Sequence, residues 1–140
     1  MSSRPSWEVY ALTLAKAASI RSEDPFRQVG ACALSYDHRV LGVAYNGLKS
    51  NHNVGYEFWI DRDKRRPFMI HAECNLLSLF KRDECKILAV TLLPCECCAR
   101  QIVAWNIPKV VYRETYEDIS ATSTLDIFNF YGIKLEKIVI

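Results

Sequence analysis

Two short motifs, each at a predicted helix start, constrain the fold of this chain more than any other feature. One is the His-Ala-Glu triplet at 71–73, and the other is the Pro-Cys-Glu-Cys-Cys segment at 94–98, which follows a predicted strand. Cys95 and Cys98 are three positions apart and share one face of a helix, so both thiols can reach one ion. If His71 supplies a third ligand, the starts of two helices must meet at a single point.

These three side chains predict an open zinc site, because histidine nitrogen and cysteine sulfur are ligands that Zn²⁺ prefers. Structural zinc sites normally have four protein ligands, whereas three leave a position for water, whose pKa the metal lowers to roughly 7. The positive ends of the two helices favour the thiolate form of both cysteines. Glu73 lies two residues from His71, so we expect it to move protons beside the metal and not to bind it.

The combination of the two motifs is far more specific than either half. A lone C-x-x-C is typical of a redox pair or of half a zinc ribbon, and a ribbon needs a second such pair. Outside the motif, Cys32, Cys74 and Cys85 are isolated from one another. H-x-E followed by P-C-x-x-C is the signature of the zinc nucleobase deaminases, in which the glutamate is the general acid and base and not a ligand.

The order of predicted elements indicates an α/β fold. Apolar residues at helical spacing predict a first helix over 6–19, and a hairpin of strands follows at 29–35 and 40–45. We expect later helices over 71–80, 94–105 and 123–131, and later strands over 87–93, 110–112 and 133–140. The strand–helix–strand order from 87 to 112 predicts a crossover and therefore a parallel pair of strands.

The connection at 48–67 has no clear periodicity and contains an unbroken charged run at 61–66. Long irregular connections in compact domains often bind ligands. The charged run favours a solvated loop of mixed sign. Its alternative role is a lid that brings arginines to a phosphate or to a neighbouring subunit.

Length and composition indicate one folded domain over residues 1–140. The 140 residues include 18 basic and 16 acidic side chains, and 50% of the residues are hydrophobic. A formal charge of +2 excludes the basic surface that polymeric nucleic acid requires, so we expect a small anionic substrate. There is no signal-peptide pattern and no apolar run that could span a bilayer. We therefore expect a cytoplasmic protein with reduced cysteines and no membrane partner.

Beyond the two motifs, nearly the whole chain resembles the deoxycytidylate deaminases of the zinc-dependent cytidine deaminase superfamily. The resemblance rests on Trp7, Tyr10 and the segments RSEDP (21–25), QVGAC (28–32), YNG (45–47), HAECN (71–75) and TLLPC (91–95). It implies a three-layer α/β/α cytidine-deaminase-like fold with a mixed five-stranded sheet and Zn²⁺ as cofactor. It also implies hydrolysis of dCMP to dUMP and ammonia, the step that supplies dUMP for thymidylate synthesis.

The resemblance also points to residues that contact the substrate. Asn46, from the Y-N-G segment, is implied to hold the sugar, and Ala72 is expected to contact the substrate from the His-Ala-Glu triplet. The phosphate needs cationic or hydroxyl donors. The candidates are Arg113, Tyr116, Ser22 and Arg27.

The family further implies a homo-oligomer, either a hexamer or a dimer, with dCTP and dTTP as candidate effectors. Two departures from the family pattern argue against that regulation. Leu48 replaces the usual proline after Gly47, and the 48–67 connection lacks the Cys-rich insertion that carries a second, structural zinc in some members.

Two alternatives remain open at this point. One keeps the chemistry and changes the substrate, as in a dual dCMP and dCTP deaminase, a nucleoside or base deaminase, or a tRNA adenosine deaminase. The other is a catalytically silent zinc-binding protein that uses the fold for assembly. The presence of Glu73 weighs against the second alternative, because a structural zinc site has no need of a carboxylate beside three ligands.

Overall fold

The computed structural model describes residues 3–115 and 120–140. In chain order its elements are α1 (Trp7–Ser19), β1 (Gly30–Ser35), β2 (Val40–Tyr45), α2 (Tyr56–Ile60), α3 (Arg62–Arg65), the 3₁₀ turn Arg66–Phe68, α4 (Ala72–Leu77), β3 (Cys85–Leu92), α5 (Glu96–Ala104), β4 (Lys109–Glu114), α6 (Ser120–Phe130) and β5 (Lys134–Lys137). Among these helices none combines the length and the apolar character needed to cross a membrane.

The strands form one mixed sheet in the order β2-β1-β3-β4-β5. β1 is antiparallel to both β2 and β3, whereas β3, β4 and β5 are mutually parallel. Parallel neighbours need crossover connections, which α5 and α6 provide. The predicted crossover and the mixed five-stranded sheet are therefore confirmed.

Strand residues alternate between two cores on opposite faces of the sheet, as the two-residue period of a strand requires. On one face, Leu12 of α1 packs in a cluster that includes Ile87 of β3. On the other face, the second cluster contains Leu76 of α4, Ile102 of α5 and Phe128 of α6. Within the described residues, α1 covers the first face and α4, α5 and α6 cover the second, which confirms the predicted three-layer α/β/α fold.

A glycine sets how closely α1 approaches the sheet. A Cβ atom on Gly30 would lie 1.9 Å from the carbonyl oxygen of Ala15 and 2.6 Å from the backbone nitrogen of Ser19. Because both neighbours are backbone atoms, no side chain can move aside to accommodate a larger residue. The close approach holds the end of α1, and the loop that follows it, against the start of β1.

The structure differs from the sequence prediction in two stretches. The 48–67 connection contains α2, α3 and the start of the 3₁₀ turn, because helices of one turn are too short to leave a periodic pattern of apolar residues. The strand predicted over 133–140 is also too long. β5 covers Lys134–Lys137, where four residues pair with β4. Other boundaries shift by a few residues, as the helix predicted over 71–80 ends at Leu77.

Candidate metal centre and active site

The two motifs meet beyond the carboxyl end of β3. α4 begins directly after His71 and α5 directly after Cys95, so both residues are N-caps with extended backbone. β3 ends at Leu92, three residues before Cys95. Ligands in open α/β sheets bind in the crevice outside the carboxyl ends of strands. The sheet therefore places both helix starts at such an edge.

Three potential metal ligands form a compact group in this crevice. The ligand atoms of His71, Cys95 and Cys98 all lie within 4.8 Å of one another. Nδ1 of His71 is 3.3 Å from Sγ of Cys98 and 3.6 Å from Sγ of Cys95. Tetrahedral zinc, with bonds of about 2.3 Å to sulfur and about 2.0 Å to nitrogen, holds N and S atoms about 3.5 Å apart. The donor types and their spacing therefore fit Zn²⁺.

Hydrogen bonds within the group stabilise one thiolate. The thiol of Cys98 donates to Sγ of Cys95, which lowers the pKa of Cys95 to about 4 and raises the pKa of Cys98. The backbone N–H of Cys98 also donates to Sγ of Cys95, at 3.4 Å. The hydrogen bond to Cys95 raises the pKa of His71. Metal binding needs deprotonated ligands, so these groups would release the protons that they share in order to hold zinc.

Glu73 is a buried carboxyl group beside the potential metal ligands. It lies in the first turn of α4 and is 4% exposed. Burial raises its pKa to about 7, although the charge of His71 acts in the opposite direction. A carboxyl group that titrates near neutral pH can both accept and donate a proton during one reaction cycle.

Five of the residues predicted to form the site line one cavity. They are Arg27, Asn46, His71, Ala72 and Glu73. The lining also contains described residues that the sequence analysis did not assign to the site, namely Asp24, Val29, Arg62, Arg65, Arg66, Met69 and Leu92. The cavity therefore joins a carboxyl group and a metal ligand to a concentration of positive charge.

Asn46 is fixed between this cavity and the loop that precedes β1. Its Oδ1 accepts from the backbone N–H of Val29 at 2.9 Å, and its Nδ2 donates to the carbonyl oxygen of Arg27 at 3.0 Å. A primary amide has two N–H donors and two acceptor lone pairs. One of each remains for a ligand, while the other pair fixes the orientation of the side chain.

Two of the predicted phosphate contacts, Ser22 and Arg113, are described residues that do not line the cavity. Ser22 is buried, and its hydroxyl donates to the carbonyl oxygen of Asn46 at 2.9 Å and accepts from the backbone N–H of Asp24 at 3.3 Å. Arg113 contacts the carboxylate of Glu114 at 3.2 Å. Tyr116 lies outside the described residues.

The arginines of the charged run are functional candidates for which the sequence favoured a solvated loop and gave contact with a phosphate only as the alternative. Their signal is the run at 61–66, which on sequence grounds favours a solvated loop. In the structure the side chain of Asp61 accepts from the backbone N–H of Lys64 at 3.0 Å and caps α3. The short helix and the 3₁₀ turn after it bring Arg62, Arg65 and Arg66 to the cavity.

Sequence comparisons relate the chain to known deaminases. The family model for the cytidine and deoxycytidylate deaminase zinc-binding region matches residues 5–114. Human deoxycytidylate deaminase is 29% identical over 142 residues, which cover 95% of this chain and 80% of the human protein. Deoxycytidylate deaminase of Mycobacterium phage D29 is 34% identical over 125 residues, which cover 79% of this chain and 96% of the phage protein.

A comparison with solved structures agrees with these sequence matches. The crystal structure of dCMP deaminase from the cyanophage S-TIM5, in complex with dCMP and dUMP, superposes with a TM-score of 0.80. The two proteins are 25% identical, and the match covers 98% of this chain and 100% of the phage chain. The same arrangement of sheet and helices therefore occurs in both proteins.

Proposed function

The chain belongs to the cytidine and deoxycytidylate deaminase family, and from this premise we propose that it hydrolyses dCMP to dUMP and ammonia. The observation that carries the proposal is the group of three metal ligands within 4.8 Å of one another beside the buried carboxyl group of Glu73. The relatives named deoxycytidylate deaminase support this choice of substrate. So does the structural neighbour that binds dCMP and dUMP.

The cofactor is Zn²⁺, because the matching family model describes a zinc-binding region and the His-Cys-Cys group offers the donors that zinc prefers. We assign His71, Cys95 and Cys98 as its ligands. When bound, zinc acts as a Lewis acid and lowers the pKa of water to roughly 7. Two of the three proposed ligands are thiolates, so they neutralise the charge of the cation in a partly buried site.

Glu73 carries the proton transfers in this proposal. Its carboxylate accepts a proton from the attacking water and delivers it to N3 of the cytosine ring. After the water oxygen has bonded to C4, Glu73 takes the remaining proton of that hydroxyl group and delivers it to the exocyclic amine, so that the C4–N bond breaks and ammonia leaves. Because burial raises the pKa of Glu73 to about 7, both its protonated and its ionised forms are accessible near neutral pH.

Ala72 and Asn46 orient the substrate. Ala72 is the first residue of α4, so its backbone N–H has no partner within the helix and is free to donate to the base. The remaining donor and acceptor of the Asn46 amide suit a sugar hydroxyl. Both residues line the same cavity as Glu73, so base, sugar and proton carrier can meet there.

The substitution Glu73→Gln tests the proposal. We expect ammonia release from dCMP to fall by roughly 10²- to 10⁴-fold, the usual contribution of a general acid and base, with bound zinc unchanged by atomic absorption. Glu96→Gln is the matched control, because Glu96 follows Cys95 in the other motif but is exposed and contacts Arg100 at 3.6 Å. Unchanged turnover in zinc-loaded Glu73→Gln would refute the assigned role.

The homo-oligomer implied by the family resemblance remains a proposal. Multi-angle light scattering of the purified protein tests it, and a monomer at assay concentration would refute it. Regulation by dCTP and dTTP is tested by adding each nucleotide to the dCMP assay. We expect no activation, because the 48–67 connection lacks the Cys-rich insertion of regulated members.

A further inference from the structure

We propose that Arg27, Arg62 and Arg66 bind the 5′-phosphate of the nucleotide, and that a buried ion pair between Asp24 and Arg65 holds them in position. All five residues line the cavity that contains Glu73. The inference rests on the proposed function and deepens it, because it assigns residues of the 48–67 connection to recognition of the phosphate.

The described residues that line the cavity carry an excess of positive charge. Asp24 neutralises Arg65, with Oδ2 of Asp24 2.7 Å from Nη1 of Arg65. The side chains of Arg62 and Arg66 form no ion pair with a carboxylate of the described residues. Arg27 has a single long and exposed contact, 3.9 Å from Glu114. The cavity is therefore lined by three arginines whose positive charges are not neutralised by a close carboxylate of the described residues. A phosphomonoester, which carries between one and two negative charges near neutral pH, matches them.

The carboxylate of Asp24 joins two segments that are distant in sequence. Oδ1 of Asp24 accepts from the backbone N–H groups of Phe26 and Arg27, at 2.8 and 3.2 Å. Oδ2 of the same residue accepts from Arg65, which is 41 positions away in sequence. The turn that carries Arg27 is therefore tied to α3 and the 3₁₀ turn, which carry Arg62 and Arg66.

The ion pair between Asp24 and Arg65 is buried. The side chains of Arg65 and Asp24 are 6% and 5% exposed, and removing two charges from water costs stability unless other interactions compensate. The guanidinium lies 5.0 Å from the ring centre of Phe26 and 5.8 Å from that of Trp59. Its position is thus fixed from both segments by ring contacts as well as by charge.

A last observation points to a ligand at this end of the cavity. Nε of Arg65 is buried and has no hydrogen-bond partner among the described residues. Buried donors are nearly always paired, and an unpaired one beside a cavity indicates an acceptor that is not part of the chain. A phosphate oxygen held by Arg62 and Arg66 has the charge and the acceptor capacity to complete it, so Arg65 positions these arginines through Nη1 and also donates to the same phosphate through Nε.

The test compares dCMP with deoxycytidine, which differ only in the phosphate. For Arg62→Gln and Arg66→Gln we expect kcat/KM for dCMP to fall by roughly 10- to 100-fold, as for loss of a hydrogen bond to a charged group. We expect kcat/KM for deoxycytidine to stay within about twofold, since the nucleoside lacks the group that the arginines contact. Lys64→Gln is the matched control, because Lys64 lies on α3, is exposed and is not part of the lining. It removes the same charge and should leave both values unchanged.

Binding of the product gives a readout that does not depend on turnover. Calorimetric titration should show weaker binding of dUMP to both arginine variants and unchanged binding of deoxyuridine. Equal losses for nucleotide and nucleoside, or no loss for either, would overturn the inference. If the unmodified zinc enzyme does not deaminate dCMP but binds dUMP more tightly than the arginine variants do, the proposed function fails and the arginine assignment stands. If it deaminates dCMP and the arginine variants do so equally well, only the arginine assignment fails.

The positioning pair has its own test. Asp24→Asn should raise KM for dCMP more than it lowers kcat, because the carboxamide keeps an acceptor for the turn but loses the charge that holds Arg65. Arg65→Lys keeps that charge and should retain more of the dCMP affinity than Arg65→Gln. Equal effects of Arg65→Lys and Arg65→Gln on KM, or a loss confined to kcat, would contradict a positioning role.

Discussion

The two ends of the cavity are built in different ways. At the metal end His71 lines the cavity and lies beside Cys95 and Cys98, and helix starts place these residues next to the central strand of the sheet. The arginine end is built on one-turn helices in the longest connection of the chain and is fixed by a contact between residues 41 positions apart. The spacing of residues along the sequence therefore determines the metal end, whereas contacts between distant segments determine the arginine end, which we assign to recognition of the substrate phosphate.

The largest effect is expected at the metal end. Cys98→Ala should bind no zinc when protein and zinc are mixed in equal amounts, because the two remaining ligands do not hold the ion against competition from buffer and water. Its turnover of dCMP should fall by roughly 10³-fold or more. Metal content by mass spectrometry and ammonia release check this. Cys97→Ser is the control, since Cys97 is exposed in the same motif. Zinc retention in Cys98→Ala would remove that residue from the ligand set.

A smaller effect is expected from loss of the ion pair between Asp24 and Arg65, which stabilises the arginine end. Asp24→Asn should lower the free energy of unfolding by about 3 kcal/mol, because it leaves the charge of Arg65 buried without a partner. Urea unfolding followed by tryptophan fluorescence measures this loss. The double variant Asp24→Asn with Arg65→Gln should recover part of the stability, since it removes the orphaned charge. If Asp24→Asn is as stable as the unmodified protein, the ion pair does not stabilise the contact between the two segments.

The smallest effect is expected at Ser22, a predicted phosphate contact whose hydroxyl is engaged within the protein. Ser22→Ala should lower the free energy of unfolding by about 1 kcal/mol through loss of its hydrogen bonds to Asn46 and Asp24. We expect kcat/KM for dCMP and for deoxycytidine to change by the same factor. A loss confined to dCMP would instead support direct contact between Ser22 and the phosphate.

The same contrast explains how much the sequence could predict. The proposed metal ligands and the fold could be predicted from the sequence because they depend on local or strongly periodic features. These features are the spacing of Cys95 and Cys98 on one helical face, the histidine before α4, and the strand–helix–strand crossover. The arginine end has no comparable local or periodic pattern in the sequence. α3 has four residues, and nothing in the sequence relates Asp24 to Arg65. A run of mixed charges has the same appearance whether it is solvated or lines a cavity.

Hydrogen bonding by Ser22 illustrates a second limit of sequence reasoning. A serine near a predicted phosphate site has the right donor group, but the sequence cannot show that its hydroxyl is already used. In the structure that hydroxyl joins the loop after α1 to the end of β2 through the carbonyl oxygen of Asn46. Residue type alone therefore indicates what a side chain can bind and not what it already contacts.

The most direct test of the central claim is ammonia release by the purified, zinc-loaded protein with dCMP, dCTP, deoxycytidine and cytosine as separate substrates. We expect dCMP to be deaminated with a kcat/KM at least tenfold above that of any other substrate, and chelation of zinc to abolish the activity. Equal or faster turnover of the nucleoside or the triphosphate would contradict the substrate assignment. Absence of turnover with all four substrates, at full zinc occupancy, would contradict the enzymatic function itself.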